Sequence, residues 1–313
     1  MARPGSLVIR LHSLGDVVLA QPAVAHLART KGPVVFLTRR EYLPAASRFG
    51  GGVIPLGLEK GHGLGGLREA VKAADAPFIL DLQGSAATSA ALLPRRAARF
   101  RTDRALRRRI LRGSGDSMPY RADRFLLLAG GRPPAKPVLE RRSEAGRKRI
   151  AGIVCGGRWP MKAIPPGVCS ELARLFIDLA DMEVVFLGGP SDSEIIGRIA
   201  SETVRPGTAS YCGEEGVEGL IGRIESLSVL VAPDSGPAHI ASALGTRLVV
   251  VFTSTSPSLG FWRSSGIASV GPLAPCSPCH RHGGRRCRKG TRQCGEALVP
   301  RALFEAAMKE AGC

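Results

Sequence analysis

The chain is short of acidic residues, of aromatics and of long apolar runs, and each shortage excludes something. Its 26 Asp and Glu stand against 44 Lys and Arg, a formal net charge of +18 over 313 residues. That imbalance favours acidic partners such as nucleic acid, an anionic membrane or a phosphorylated small molecule. Aromatics make up only 5% of the residues, and the arginine-richest stretch, Arg95 to Arg112, contains Phe100 alone. A nucleic-acid partner is therefore disfavoured, because base-stacking side chains are missing where the charge is greatest. No apolar run approaches the ~20 residues that span a bilayer. The amino terminus enters a strand pattern without the apolar core of a secretory signal, so a cytoplasmic location is expected, with peripheral contact at the inner face of the membrane. A GxGxxG turn is also lacking, which argues against a nicotinamide-dependent oxidoreductase.

What is present is a core-forming chain, 44% hydrophobic, long enough for two domains. Strand patterns at Leu7 to Leu11, Val34 to Thr38 and Phe78 to Leu82 alternate with helical ones such as Val17 to Thr30. After the Pro-rich stretch Arg132 to Pro137, strand patterns return at Ile150 to Cys155, Val184 to Leu187, Val229 to Ala232 and Leu248 to Phe252. Helical patterns separate them near Val168 to Leu179, Asp192 to Glu202 and Val217 to Leu227. Alternation of this kind predicts parallel sheets covered by helices. The expected division is residues 1–137, a linker at 138–148, and residues 149–313, which end in a cysteine-rich loop and a terminal helix.

Three strand-to-helix turns carry the candidate chemistry. In VLVAPDSGPAHIASALGTRLVVVF, Asp234-Ser235-Gly236 opens a helix that Pro237 suits and Gly245 ends. Free N–H groups at Ser235 and Gly236 are equipped to hold a phosphate. Asp234 or Ser235 could instead simply cap the helix, and His239 could be a packed core histidine. In LVIRLHSLGDVVLAQ, Ser13-Leu14-Gly15-Asp16 sits at the same kind of turn, where Asp16 is either a cleft carboxylate or a cap. Gly156-Gly157-Arg158-Trp159-Pro160-Met161-Lys162 combines close backbone approach with positive charge, as a phosphate site requires. Leu187 to Asp192 forms a further turn on that edge.

Taken together, LHSLGDVVLAQPAV, DLQGS, GGRWPMKAIPP, LGGPSDSE, PDSGPAHIASALGT and PCSPC resemble, in order, the motifs of glycosyltransferase family 9, the ADP-heptose:lipopolysaccharide heptosyltransferases. The resemblance covers nearly the whole chain. It implies an α/β fold of the GT-B class, two Rossmann-like βαβ domains facing across a cleft, with the acceptor on the amino-terminal side and the nucleotide sugar on the carboxyl-terminal side. It implies inverting transfer of heptose from ADP-heptose, or a related nucleotide sugar, to an acidic lipopolysaccharide-core acceptor, with no cofactor required for catalysis. Asp16 would be the general base, Lys162 the phosphate-binding cation and Asp234 a contact to donor hydroxyls. Ser235, Gly236, His239, Gly157, Arg158, Asp192 and Glu194 would complete the donor site. Ser13, Gly15, Arg101, Arg104, Arg107 and Arg108 are expected on the acceptor side. Departures occur where Lys162-Ala163-Ile164-Pro165 replaces the usual Lys-Arg-Trp-Pro and where Thr253-Ser254-Thr255 interrupts the common Phe-Gly-Pro-Thr-Ser-Pro loop. The alternative is a basic binding module, for a membrane surface or nucleic acid, that keeps the scaffold without turnover.

Four of the eight cysteines, Cys276, Cys279, Cys287 and Cys294, cluster in one loop. Their spacing suits a structural metal, and reduced thiols or a disulfide suit it equally. The nine arginines of Arg95 to Arg112 are read as an acceptor-side basic surface, the alternative being a solvated face.

Overall fold

The computed structural model describes residues 3–142, 149–203, 208–263 and 267–312. The chain divides into two compact units, Met1–Thr102 with Pro119–Arg142, and Asp103–Met118 with Ser143–Cys313.

The first unit is a parallel sheet of β1 (Ser6–Ile9), β2 (Val34–Arg39), β3 (Val53–Leu58), β4 (Phe78–Asp81) and β5 (Ala98–Arg99) in the order β3-β2-β1-β4-β5. Ser6 lies between Val34 and Phe78, and Ile9 between Leu37 and Asp81. β1 is therefore central, and its Leu7, Val8 and Ile9 are fully buried, as expected of a parallel strand covered on both faces. Helices α1 (Leu14–Lys31), α2 (Leu43–Ala46), α3 (Gly63–Ala74) and α4 (Ala86–Ala91) follow successive strands. Next in the chain come α5 (Arg104–Ile110), which belongs to the second unit, and α6 (Arg121–Leu128), which returns to pack on the first.

The second unit holds β6 (Ile150–Val154), β7 (Glu183–Leu187), β8 (Thr208–Tyr211), β9 (Val229–Pro233), β10 (Arg247–Val251) and β11 (Ala268–Val270), all parallel, in the order β11-β10-β9-β6-β7-β8. Its helices are α7 (Pro166–Ala180), α8 (Ser193–Thr203), α9 (Gly216–Ser226), α10 (Gly236–Leu244), α11 (Gln293–Glu296) and α12 (Pro300–Ala311). Val229, Val231, Val249 and Val251 meet Leu172, Phe176, Leu303 and Phe304 in its core. In each sheet the carboxyl ends of the central strands, where the order reverses, are the places where open α/β sheets bind ligands.

Two expectations about the domain division are corrected. Residues 138–142 are not a free linker: Val138 N–H bonds Gln21 Oε1 at 3.0 Å, Glu140 N–H bonds the Arg48 carbonyl at 2.8 Å, and Leu139 is buried. The rest of that segment, 143–148, falls outside the described residues. The arginine run is also split. Residues up to Thr102 stay with the first unit, whereas α5 joins the second because Ile110 and Met118 bury themselves against Leu259, flanked by Leu106, Leu111 and Phe261. The Met118 N–H donates to the Ser258 carbonyl at 2.8 Å and fixes the return.

Candidate functional site

In the first unit the chain leaves β1 through Arg10 and enters α1 two residues before Asp16. Asp16 is 5% exposed and is clamped by two arginines: Arg10 meets its Oδ2, and Arg121 Nη1 lies 2.6 Å from its Oδ1. The Ser13 hydroxyl is 3.3 Å from Oδ2. Ser13 is exposed and Gly15 buried in the first turn of α1. Asp16 is thus an ion-paired carboxylate rather than a helix cap. Burial pushes the Arg10 guanidinium below its usual value, and the neighbouring Arg121 adds to this, while Asp16 opposes it. The DLQGS turn braces the site: Gln83 Oε1 accepts the N–H groups of Leu11 and His12 at 3.1 and 3.3 Å. Asp81 Oδ1 in turn accepts those of Gln83 and Gly84.

In the second unit, Asp234 ends the β9 turn and is 4% exposed. Its Oδ2 meets Lys162 Nζ at 3.1 Å and the Thr255 hydroxyl at 2.9 Å, and its Oδ1 accepts the Trp262 indole N–H at 2.8 Å. His239, one turn into α10, stacks on Trp262 with ring centroids 4.1 Å apart and planes 8° apart. Burial by itself would raise the Asp234 carboxyl, yet Lys162, His239 and the Trp262 N–H outweigh it and hold the group below its ordinary range. Ser235 at the start of α10 makes no side-chain cap, and its buried hydroxyl has no hydrogen-bond partner among the described residues. The first N–H groups of a helix lack intrahelical acceptors. This corner therefore gathers an ammonium, helix-end donors and an unused hydroxyl around one carboxylate.

The loop after β10, Thr253-Ser254-Thr255, is a hydrogen-bonded run. Thr253 Oγ1 donates to the Met161 carbonyl at 2.8 Å, and the N–H groups of Cys279 and His280 both reach the Ser254 carbonyl at 3.2 Å. The cysteine-rich loop thereby supports the Asp234 corner. Its Gly283, at φ +93°, lies beneath the stem of Lys162; a Cβ there would stand 2.7 Å from both Lys162 Cδ and Trp159 Cβ. Gly283→Ala is expected to displace Lys162 from Asp234 and to lower stability by about 1–3 kcal/mol. Urea unfolding checks this, and an unaltered midpoint would show that the stem relocates freely.

Other expected donor residues are placed differently. Asp192 is spent locally: Oδ2 accepts the Gly189 N–H at 2.9 Å, and its carboxyl group packs so near Gly156 that a Cβ there would overlap it. Glu194 is exposed at the start of α8. Gly157 adopts φ +140°, and Arg158 is exposed over the Trp159 ring at 5.3 Å. Of the acceptor set, Arg101 remains in the first unit, while Arg104, Arg107 and Arg108 lie on α5 in the second.

Among the described residues no group of three or more His, Cys, Asp or Glu side chains is arranged to hold a metal, one of the alternatives left open by the cysteine spacing. The four thiols lie near enough to act on one another electrostatically. Cys279 Sγ lies 3.1 Å from His280 Nδ1, Cys287 Sγ accepts the Arg292 N–H at 3.4 Å, Cys276 is exposed and Cys294 is buried. That Arg292 N–H foremost, with those of Lys289, Gly290 and Thr291, holds the Cys287 thiol below its ordinary value, whereas burial raises Cys279 and Cys294. Iodoacetamide is expected to alkylate Cys287 before Cys279 and Cys294 at neutral pH, since the thiolate is the reacting species. A peptide-mapped time course reads the order, and simultaneous labelling would contradict it.

Sequence reading did not find Arg10, Arg121, Trp262 or Gly283, and it marked Thr255 only as part of an unusual loop. Only Arg121 and Trp262 carried a signal, as an arginine at a helix start and one of two tryptophans in a chain poor in aromatics. Nothing local ties either to a partner.

Residues 131–285 match the model of glycosyltransferase family 9 (heptosyltransferase). No curated protein matches the chain. Among solved structures, the Escherichia coli ADP-heptose lipopolysaccharide heptosyltransferase II aligns with a TM-score of 0.76 at 18% identity, over 98% of each chain. A family 9 glycosyltransferase from Veillonella parvula aligns at 0.79 and 16% identity, over 99% of this chain and 98% of the other. The E. coli heptosyltransferase WaaC with ADP aligns at 0.72 and 15%, over 97% and 99%. These likenesses show the α/β fold of the GT-B class. With two parallel-sheet units and a family match that takes in the Lys162 and Asp234 turns, the chain is a glycosyltransferase that carries the family 9 (heptosyltransferase) domain.

Proposed function

We propose that the protein transfers heptose, with inversion, from ADP-heptose to an acidic lipopolysaccharide-core acceptor at the inner face of the cytoplasmic membrane. The observation that carries this reading is the donor corner. A buried carboxylate pins Lys162 beside the start of α10, where the Ser235 hydroxyl has no partner among the described residues. Lys162 and the Ser235 and Gly236 N–H groups would meet the diphosphate, in whose bridging oxygen charge grows as the anomeric C–O bond breaks. Asp234 positions Lys162 and Trp262, and its remaining lone pairs are available to sugar hydroxyls. The acceptor oxygen attacks the anomeric carbon, its proton passes to Asp16, and the electron pair of the broken bond leaves with ADP. A carboxylate acting on the attacking oxygen, opposite the leaving group, gives inversion, as in inverting glycoside hydrolysis.

The test is turnover by the purified protein. ADP release from ADP-heptose, accelerated by a lipid A-linked acidic core acceptor, is the expected result. Absence of both transfer and donor hydrolysis, with tight duplex DNA binding at moderate salt, would establish the non-catalytic alternative instead.

A further inference from the structure

The second unit contains a cavity of ≈ 250 Å³ that none of the donor residues lines. One wall is the end of α5 and its exit, Ile110 to Gly113; the other is the cysteine-rich loop, at Pro275 to Cys279 and Cys287 to Lys289. Three cations face this space, Arg112, Arg288 and Lys289, all exposed. Among the described residues no acidic side chain lines it, and none of the three cations forms an ion pair. The contrast is with Arg109, one turn earlier on α5, which is neutralised by Asp116 at 2.6 Å.

Three like charges gathered around one concavity repel one another, and a multiply charged anion relieves that repulsion while receiving charge-assisted hydrogen bonds. Two of the three are arginines, whose forked N–H groups match phosphate oxygens. Ile110, Leu111, Pro275 and Pro278 add an apolar wall, suited to the carbon frame of an ester more than to a bare ion. We infer that Arg112, Arg288 and Lys289 form a phosphate-ester site on the donor-side unit, built by the excursion of α5 onto the cysteine-rich loop. This identification of the ligand with a phosphorylated acceptor rests on the acidic-acceptor reading proposed above, whereas the site itself does not. It moves part of the acceptor recognition from the first unit to the second, and it gives α5 a reason to dock there.

The experiment compares wild type with the triple variants Arg112→Glu/Arg288→Glu/Lys289→Glu and Arg112→Gln/Arg288→Gln/Lys289→Gln. Probes are glucose 6-phosphate, inorganic phosphate and phosphatidylcholine vesicles with and without phosphatidic acid. Wild type is expected to bind glucose 6-phosphate and the phosphatidic acid vesicles, and both variants to lose roughly tenfold to a hundredfold in affinity. ADP affinity and the melting temperature should stay at wild-type values, and Lys162→Ala should show the converse pattern. Glucose 6-phosphate binding that is undetectable in wild type, or unchanged in the folded variants, overturns the site. Binding of phosphatidic acid vesicles alone would replace it by a membrane surface. If wild type binds the phosphate ester through these residues but does not turn over ADP-heptose, the site stands and the transferase reading fails.

Discussion

Asp16→Asn is expected to lower turnover on the order of 10²-fold or more while leaving ADP affinity unchanged, because the substitution keeps the shape and removes the proton acceptor. The structure adds a second consequence. Arg10 and Arg121 both pair with Asp16, and each side chain is only 9% exposed. Removing the carboxylate charge takes from two nearly buried cations the anion they share, and breaking a buried pair costs about 3–5 kcal/mol. Melting temperature and activity must therefore be measured together. Asp16→Glu separates the two effects, since it keeps a charge for the arginines but misplaces the carboxylate by a methylene. It should recover stability and remain catalytically impaired. Wild-type turnover in a folded Asp16→Asn enzyme would remove Asp16 from the base role.

Lys162→Met is expected to raise donor KM and lower kcat together, because the ammonium would face diphosphate charge present in the ground state and increased in the transition state. It also strips Asp234 of the strongest attraction opposing its burial. In wild type the depressed Asp234 group contributes stability above the ordinary carboxylate range, near pH 4, and that contribution fades as pH falls through the still lower folded value. Without Lys162 the carboxyl moves upward, so acid destabilisation should begin at higher pH than in wild type. Urea unfolding between acid and neutral pH reads this shift. A variant with an unmoved acid limb and an altered acceptor KM alone would assign Lys162 to another site.

Much of this molecule is legible in its sequence, for a local reason. The strands of both sheet centres are short apolar runs flanked by turn residues, and each functional turn lies between such a run and a helix start. Ser13 to Asp16, Gly156 to Lys162 and Asp234 to Gly236 are therefore assigned to strand ends by neighbours only a few residues away. β3 was not legible: Pro55 and Gly57 interrupt its pattern, which an edge strand tolerates. The partners of the candidate residues were not legible either. Arg121 reaches Asp16 across 105 residues, and Trp262 reaches Asp234 across 28.

The sequence by itself determined the α/β class, the positions of the strand-to-helix turns and the positive charge of the chain, since all three follow from periodicity and composition within short windows. Tertiary structure decided which charges are spent and which stay open. Asp192 is consumed by its own turn and Arg109 by Asp116, whereas Lys162 is positioned by Asp234 and Asp16 by two arginines. It also decided that α5 leaves the unit whose sequence surrounds it, because burying Ile110 and Met118 on Leu259 depends on a surface assembled from residues more than a hundred positions away.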